Sequence, residues 1–245
     1  MAFLAEKLKI ALSDKILPGF LFQWRAALQG VPDPKLYSPR LQPWRGPSEF
    51  RTIYNEISRH TLVTPERAWT LYCLGRQALN LQGDFVEAGV YRGGTARLLR
   101  HVIESAPSRR SLHLFDTFGG MPATSKEKDL HKSGDFSDTN IEAVSSVVGR
   151  DDWIRYHQGL IPETFKGLEG ARFALSHIDV DIYEAVLACC QFLYSRTVPG
   201  GFFIFDDYGF PSCPGARAAV DEFFCKKPEM PLALHSGQAV VFKVA

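Results

Sequence analysis

The sequence predicts an α/β fold with one open sheet that is parallel through most of its width. After Gly83, short apolar runs typical of strands alternate with segments of helical pattern. The last two apolar runs follow each other without a helix between them, which predicts an antiparallel strand pair at the C-terminus. In sheets of this class, ligands bind beyond the carboxyl ends of the strands.

The first 50 residues precede the alternating pattern and are expected to form an N-terminal helix and a proline-rich connector. In residues 1–24, charged residues interrupt the apolar positions, which predicts an amphipathic helix that packs on the domain or on another subunit. A helix at a membrane surface is the alternative. No apolar stretch approaches the length of about 18 residues that a membrane span needs, and no signal-peptide pattern follows. Residues 29–50 contain five prolines and two glycines, so we expect an irregular connector that serves as a lid or an oligomer contact.

Residues 51–245 are expected to form the main domain. Thr64 as N-cap and Pro65 at the first helical position predict the start of a helix. The later segments predict, in order, the strand DFVEAG, the helix GGTARLLRHVIES, the strands LHLFD, IRYHQG and ALSHIDVD, the helix IYEAVLACCQFLY, the turn VPGG, the strand FFIFDD, a helix over 215–224, and the strands PLALHS and QAVVFKVA.

Composition narrows the class of partner and compartment. The formal net charge of +1 creates no field that would attract nucleic acid or an anionic membrane, so neither is expected as a partner. The five cysteines are odd in number and show no metal-binding spacing. We expect reduced, mostly buried thiols, which favours a cytoplasmic protein. The apolar N-terminal helix favours a homo-oligomer, either a dimer or a larger assembly.

A glycine turn joins the first predicted strand to the helix that follows. Its spacing, Glu87-x-Gly89-x3-Gly93-Gly94, is not the dinucleotide motif GxGxxG. Glycines let a ligand approach the backbone closely, and the helix N-terminus presents free N–H groups. Glu87 would repel a phosphate but suits a cationic ligand or an amino group. A tight turn without a ligand is the alternative.

Asp116 ends the next predicted strand, 22 residues after Gly94. A carboxylate at this place can accept two hydrogen bonds from a ribose diol. Together with Glu87 and the glycine turn, it fits S-adenosylmethionine better than a dinucleotide, because this cofactor has an amino-acid end, a ribose and no phosphate. Gln158 and Gly159, after the third strand, are placed to flank the adenine.

Four aspartates follow two of the predicted strands. Asp179 ends one strand, and Asp206 and Asp207 end another, 27 and 28 residues later. One crossover helix separates the two strands, so we expect them to be neighbours, about 5 Å apart. Converging carboxylates raise each other's pKa values unless a cation is bound, and Mg²⁺ prefers oxygen ligands of this kind. The sequence therefore predicts a Mg²⁺ site, with Asp181 in reach of the same pocket. The alternatives are that Asp181 caps the N-terminus of a helix and that Asp206 or Asp207 caps a turn.

Five blocks, in this order and spacing, carry a resemblance to a known family: VEAGVYRGG, LFDTFGGMP, HQGLIPETF, HIDVDIYEA and FIFDDYG. The sequence resembles the macrocin O-methyltransferase (TylF-type) family over roughly residues 50–225. The resemblance implies a class I methyltransferase (Rossmann-like) fold. It also implies the use of S-adenosylmethionine with Mg²⁺, and methylation of a hydroxyl that is often on a sugar of a natural product.

By position, the resemblance also implies roles for individual residues. Asp179, Asp206 and Asp207 match the metal ligands, and Asp181 matches a candidate general base, so that Asp181 and Asp179 are the expected catalytic residues. The expected cofactor-binding residues are Thr61, Glu87, Ala88, Gly89, Tyr91, Gly93, Gly94, Thr95, Asp116, Thr117, Phe118, Gln158, Gly159 and Asp179. The C-terminal HSGQAVVFK differs from the ending of the macrolide-type members. The acceptor therefore stays open, with a saccharide hydroxyl first and a phenol or catechol-like metabolite second.

Further residues and other functions are also open. His177 is predicted to be a core histidine rather than a base, and His131 and His235 are alternative bases. The polar loop over residues 123–140 suits a lid, or it is an ordinary solvated loop. The Asp179-Val180-Asp181 triplet also satisfies the DxD metal motif of glycosyltransferases. That function leaves Glu87, the glycine turn and Asp116 unexplained, and Glu87 would oppose a diphosphate. A non-catalytic binding protein on the same fold is a third possibility.

Overall fold

The computed structural model describes residues 41–244, so the predicted N-terminal helix lies outside the described residues. The helices are α1 (Glu49–Ile57), α2 (Pro65–Ala78), α3 (Gly94–Glu104), α4 (Ile141–Val148), α5 (Tyr183–Leu193) and α6 (Pro214–Phe224). The strands are β1 (Asp84–Ala88), β2 (Leu112–Asp116), β3 (Ile154–Gln158), β4 (Phe173–Ile178), β5 (Thr197–Phe205), β6 (Leu232–Ala233) and β7 (Ala239–Phe242). None of these helices has both the length and the hydropathy that a bilayer crossing requires.

The strands of the described residues form one sheet in the order β3-β2-β1-β4-β5-β7-β6. Strands β1 to β5 pair in parallel, β7 runs antiparallel to β5, and β6 runs antiparallel to β7. This topology confirms the predicted open sheet with its antiparallel C-terminal pair. The chain order reverses between β1 and β4, which is the place where sheets of this class bind ligands.

Helices cover both faces of the sheet, which explains why the strands are nearly continuous apolar runs. Successive residues of β1 point to opposite faces, as the period of two in a strand requires. Phe85 packs in one core cluster with Leu71 of α2 and Leu99 of α3. Val86 packs in the other cluster with Val186 of α5. The sheet is therefore a buried platform, and its strand ends are the surface available for chemistry.

Three segments differ from the sequence prediction. Helix α1 begins inside the predicted connector, because Ser48 accepts a hydrogen bond from the Arg51 N–H (3.2 Å) and Phe50 is buried in the core. The predicted VPGG turn belongs to β5, which starts at Thr197 and pairs with β4 through an irregular register. An additional helix, α4, forms between β2 and β3, with Asn140 as its N-cap.

Candidate active site

A cavity of about 460 Å³ opens at the carboxyl ends of the central strands, where the chain order reverses. This volume is within the range of small-molecule sites. Its wall combines the turn after β1, the ends of β2 and β4, the segment 60–63 before α2, and the loop after β2. The ligand position expected from the fold class therefore coincides with a cavity.

Gly89 brings the turn after β1 against the end of β4. Its φ is +86°, and a Cβ atom at this position would overlap with the carbonyl oxygen of Asp179. The Asp179 N–H in turn donates to the carbonyl of Ala88 (2.8 Å). Glycine provides both the conformational freedom and the space that this contact needs, so it joins the two strand ends on the cavity wall.

Gly93 and Gly94 lie at the start of α3, off the cavity wall. A Cβ atom on Gly93 would be 2.8 Å from the Val148 side chain, and one on Gly94 would be 2.7 Å from the carbonyl oxygen of His60. At these two positions the absence of a side chain makes room for another segment of the protein and not for a ligand. The glycines thereby seat α4 and the segment 60–61 against α3, and that segment carries Thr61 onto the cavity wall.

Asp116 ends β2 and lies on the cavity wall. Its carboxylate accepts hydrogen bonds from the N–H groups of Val90 (2.7 Å), Tyr91 (3.0 Å) and Phe118 (2.7 Å). These bonds tie the turn after β1 to the end of β2. The Thr117 hydroxyl lies 3.4 Å from Oδ1, but it donates its single proton to the Gly120 carbonyl (2.6 Å). A carboxylate offers about four acceptor positions, so Asp116 retains one for a ligand hydroxyl.

Glu87 and His177 form a fully buried pair off the cavity wall. His177 Nδ1 lies 2.9 Å from Glu87 Oε1, and Nε2 lies 3.6 Å from Asp206 Oδ1, which is an ion-pair rather than a hydrogen-bond distance. Burial lowers the pKa of His177, but Asp206 and Glu87 outweigh it and raise this pKa to about 9. This shift favours the protonated ring, and the full burial of His177 agrees with the predicted core position. The second Glu87 oxygen, Oε2, has no hydrogen-bond partner among the described residues.

Three aspartate carboxylates converge beside the cavity. Strands β4 and β5 are paired with Ile178 opposite Phe205, so the aspartates that follow each strand are neighbours. One carboxylate oxygen from each of Asp179, Asp206 and Asp207 lies within 4.8 Å of the other two. This group, called the three-carboxylate cluster below, contains oxygen donors alone, and such a donor set fits Mg²⁺ better than zinc or copper.

The pKa shifts indicate that the three carboxylates are not favoured in the ionised form together. Burial, followed by the charges of Asp206 and Asp207, raises the pKa of Asp179. Burial and Asp206 raise the pKa of Asp207 to about 6. Burial also acts to raise the pKa of Asp206, but His177 and Arg67 outweigh it and lower this pKa. The cluster therefore favours a bound cation, which would hold all three groups in the ionised form.

Arg67 and Gln238 surround Asp206, and neither residue is part of a motif in the sequence. Arg67 of α2 forms a buried ion pair with Asp206, and its guanidinium lies 4.9 Å from the centre of the Phe210 ring. Gln238, between β6 and β7, donates to Asp206 Oδ1 (2.8 Å). Sequence separations of 139 and 32 residues leave no local pattern from which these contacts could be predicted.

Asp181 is next to the three-carboxylate cluster but is not part of it. Its φ is +58°, so the alternation of a regular strand does not apply, and Oδ1 faces Cys213 Sγ (3.5 Å) and His131 Nε2 (3.6 Å). The N-cap of α5 is Ile182, so Asp181 does not cap that helix. Burial, followed by the charge of Asp207, raises the pKa of Asp181 to about 8. A carboxylate with this pKa on a cavity wall is suited to accept a proton from a ligand.

The polar loop between β2 and α4 lies on the cavity wall, where a lid is expected. Asp129 anchors the loop, since its carboxylate accepts from the Tyr183 N–H at the start of α5 (2.9 Å) and from the Ser125 N–H (3.0 Å). Phe136 packs edge-on against Tyr91 with 5.7 Å between ring centroids. Both residues have φ values above +50°, a strained conformation that is typically retained at functional sites.

The predicted cofactor residues fall into two groups. On the cavity wall lie Thr61, Gly89, Tyr91, Thr95, Asp116, Thr117, Gly159 and Asp179. Off the wall lie Glu87, Ala88, Gly93, Gly94, Phe118 and Gln158. Asp181 and Asp207 are also on the wall, whereas Asp206 is behind it and His235 is exposed elsewhere.

Known proteins are similar to this chain across the region that builds the cavity. Residues 60–242 match the family described as macrocin-O-methyltransferase (TylF). The chain is 33% identical over 178 residues to the 8-demethyl-8-(2,3-dimethoxy-alpha-L-rhamnosyl)-tetracenomycin-C 4'-O-methyltransferase of Streptomyces olivaceus, with 67% of each chain covered. It is 31% identical over 180 residues to the mycinamicin III 3''-O-methyltransferase of Micromonospora griseorubida, which covers 67% of this chain and 70% of that one.

Solved structures share the same architecture. The O-methyltransferase NovP superposes with a TM-score of 0.67 at 26% identity, over 76% of this chain and 83% of that one. The calicheamicin methyltransferase CalS11 superposes with a TM-score of 0.60 at 18% identity, over 84% of this chain and 98% of that one. At 18% identity, the similarity to CalS11 shows a shared fold and nothing more.

Proposed function

Because the chain belongs to the macrocin-O-methyltransferase (TylF) family, we propose that it transfers a methyl group from S-adenosylmethionine to a sugar hydroxyl, with Mg²⁺ as cofactor. The observation that carries the proposal is the three-carboxylate cluster, whose ligand atoms lie within 4.8 Å of one another beside the cavity. The tetracenomycin relative, whose name specifies a rhamnosyl substrate, supports a saccharide acceptor.

S-adenosylmethionine fits the polar groups of the cavity better than a phosphate-bearing cofactor does. Asp116 retains an acceptor position for a ribose hydroxyl, and Gly159 lies on the wall next to the end of β3 for the adenine. Arg67 is the one lysine or arginine on the described cavity wall, and its charge is committed to Asp206. Little positive charge therefore remains there for a phosphate.

Asp179, Asp206 and Asp207 would hold the Mg²⁺ ion. When bound, the ion supplies positive charge that lowers the pKa of the acceptor hydroxyl. Arg67 and Gln238 hold the Asp206 carboxylate in place, and Asp129 anchors the loop over residues 123–140 on the cavity wall. Asp181 takes the proton of the hydroxyl as the oxygen attacks the sulfonium methyl, and S-adenosylhomocysteine leaves with the electron pair of the broken carbon–sulfur bond.

The acceptor must present a ring to an aromatic wall. Tyr91, Phe136 and Phe210 line the cavity, which suits the apolar face of a sugar and also a phenolic ring. A phenol or catechol-like metabolite is therefore the second candidate. A DxD glycosyltransferase has less support, because Asp179 and Asp181 belong to separate side-chain clusters and the family is one of methyltransferases.

Turnover with labelled S-adenosylmethionine against nucleotide sugars, glycosides and phenols tests this function. We expect labelled saccharide products in Mg²⁺ and none in EDTA. Asp207→Asn, at a residue assigned to the metal alone, should abolish the Mg²⁺-dependent turnover but leave cofactor binding, measured by calorimetry, largely intact. Asp152→Asn, at an exposed aspartate, should behave as wild type. Full activity in EDTA would refute the metal role, and stabilisation by a nucleotide sugar without methyl transfer would refute the methyltransferase.

The remaining assignments rest on the sequence. In this proposal residues 51–245 form the methyltransferase domain, and residues 1–50 form a lid or an oligomer contact. A homo-oligomer in the cytoplasm is the expected state. Light scattering of the full chain and of a chain that starts at residue 41 would test the oligomer contact, since removal of that contact should lower the molar mass.

A further inference from the structure

A second cluster of metal-ligating atoms lies on the cavity wall, next to the three-carboxylate cluster. It joins His131 of the lid, Asp181 after β4 and Cys213 before α6. Cys213 Sγ lies 3.5 Å from His131 Nε2 and 3.5 Å from Asp181 Oδ1. His131 Nε2 and Asp181 Oδ1 are 3.6 Å apart. Three different donor types from three segments of the chain therefore meet at one point.

These separations match the edges of a tetrahedral zinc site. Zinc binds sulfur at about 2.3 Å and imidazole nitrogen or carboxylate oxygen at about 2.0–2.2 Å, so neighbouring ligand atoms are about 3.3–3.6 Å apart. A mixed nitrogen, oxygen and sulfur set selects zinc and related transition metals rather than Mg²⁺. Three protein ligands leave a fourth position for water or a ligand from the cavity.

The surroundings of His131 provide an independent argument. Its other ring nitrogen, Nδ1, lies 3.2 Å from Asp135 Oδ2, and the same oxygen accepts from the Lys132 N–H (2.9 Å). A histidine that donates its Nδ1–H to a carboxylate has its Nε2 lone pair available for a metal. Asp135 therefore selects the tautomer of His131 that the cluster requires, and the lid itself supplies this carboxylate.

We propose that His131, Asp181 and Cys213 form a transition-metal site that takes Zn²⁺ and is distinct from the three-carboxylate cluster. Binding requires the Cys213 thiol to lose its proton to the buffer, and both Cys213 and Asp181 bind in their deprotonated forms, so that the hydrogen bond from the thiol to Asp181 is replaced. A bound ion cross-links the loop that carries His131 to the segment after β4 and to the segment before α6. The ion also binds the Asp181 carboxylate, which is then not available to accept a proton. Zinc should therefore inhibit methyl transfer, and this consequence rests on the proposed function.

Cobalt(II) is a direct probe of the site in the full chain, with excess Mg²⁺ present to fill the three-carboxylate cluster. We expect a one-to-one complex with a thiolate-to-cobalt charge-transfer band that zinc displaces. The band should disappear in Cys213→Ser and persist in Cys225→Ser, whose thiol is exposed. Asp135→Asn should weaken the cobalt affinity about 10- to 100-fold. A wild-type chain without the band, or a band that persists in Cys213→Ser, would overturn the proposal.

Inhibition by zinc separates this site from the proposed function. At saturating Mg²⁺, zinc concentrations that displace cobalt should lower methyl transfer at least tenfold in the wild-type chain. The ratio of rates with and without zinc should return towards one in Cys213→Ser. If the cobalt band behaves as expected but zinc leaves turnover intact, the metal site stands and the role of Asp181 as the base is wrong.

Discussion

Arg67 and Asp206 form an ion pair that is buried on both sides, with side chains 11% and 0% exposed. The guanidinium also donates to the carbonyl of Leu62 (2.8 Å), so it connects the segment before α2 to the end of β5. Arg67 offsets the charge of one carboxylate in the three-carboxylate cluster. The other two carboxylates need protons or a bound cation, so the stability of this sheet edge should depend on Mg²⁺.

We expect Arg67→Gln to lower the free energy of unfolding by about 3–5 kcal/mol in EDTA, because it leaves a buried carboxylate without its partner. Mg²⁺ should restore part of the loss, since it supplies the missing positive charge. Urea unfolding with and without Mg²⁺ measures both effects.

Arg217→Gln is the matched control for this experiment. Arg217 pairs with Asp221 on the surface, where the side chains are 63% and 49% exposed, so the change should stay below about 1 kcal/mol. Equal losses in the two variants would mean that the buried pair is no more important than a surface pair.

Gly89→Ala and Gly134→Ala separate backbone strain from steric overlap. The two glycines have similar φ values, +86° and +90°, but a Cβ on Gly134 would have nothing within 4 Å. Gly134→Ala should cost about 1 kcal/mol from backbone strain alone. Gly89→Ala should cost about 1–3 kcal/mol more, because the new methyl group must displace the backbone of Asp179. Thermal unfolding measures both, and equal melting temperatures would show that the Asp179 backbone yields without cost.

Most strands could be predicted because they contain a short apolar run that ends at a charged residue or a turn, although β3, with the sequence IRYHQ, is more polar. Helix α4 could not, since its sequence IEAVSSVV is rich in valine and serine, which are mediocre helix formers. Its local signals are the N-cap Asn140, which stands among other polar residues of the loop, and Gly149 directly after the last helical residue. Packing of Val144 and Val148 in the core accounts for the helix instead.

The residues of the candidate site also divide into those that the sequence predicts and those that it does not. Asp179 and Asp206 could be placed together because the residues after two adjacent parallel strands are neighbours by geometry. Arg67 and Cys213 could not, because their positions depend on how α2 and the loop before α6 pack on the sheet. The positive φ of Asp181 also carries no local signal, and it moves this carboxylate into a cluster that strand alternation does not predict.

Asp181→Asn should lower kcat about 10²- to 10⁴-fold, which is the usual contribution of a general base. Cofactor binding by calorimetry and the stabilisation by Mg²⁺ should stay near wild type, because Asp181 is not part of the three-carboxylate cluster. Asp207→Asn is the comparison, since it should lose the stabilisation by Mg²⁺. Unchanged turnover in Asp181→Asn would show that Asp181 is not the base.

His113 and His157 form a hydrogen-bonded pair on β2 and β3, with 3.0 Å between His113 Nδ1 and His157 Nε2. Asp84 Oδ2 lies 3.4 Å from His113 Nε2, so His113 accepts at Nδ1 and His157 donates. Burial, followed by the charges of His113 and Arg155, lowers the pKa of His157 to about 4. A histidine in the unfolded chain titrates near pH 6.5, so between pH 6.5 and 4 the unfolded state binds a proton that the folded state does not.

This difference makes the folded state less stable in acid, with the effect absent above about pH 6.5 and growing as the pH falls towards 4. Between pH 7 and pH 5, we expect the lowered pKa of His157 to reduce the free energy of unfolding by about 1–2 kcal/mol. This range is already reduced to account for the partial exposure of His157 to solvent. His157→Gln should flatten the pH dependence by that amount, because glutamine can still donate to His113 Nδ1 and does not titrate. His235→Gln, at an exposed histidine, should leave the wild-type profile unchanged. Urea unfolding across this pH range measures all three chains, and parallel profiles for wild type and His157→Gln would show that His157 gains its proton as readily in the folded state as in the unfolded one.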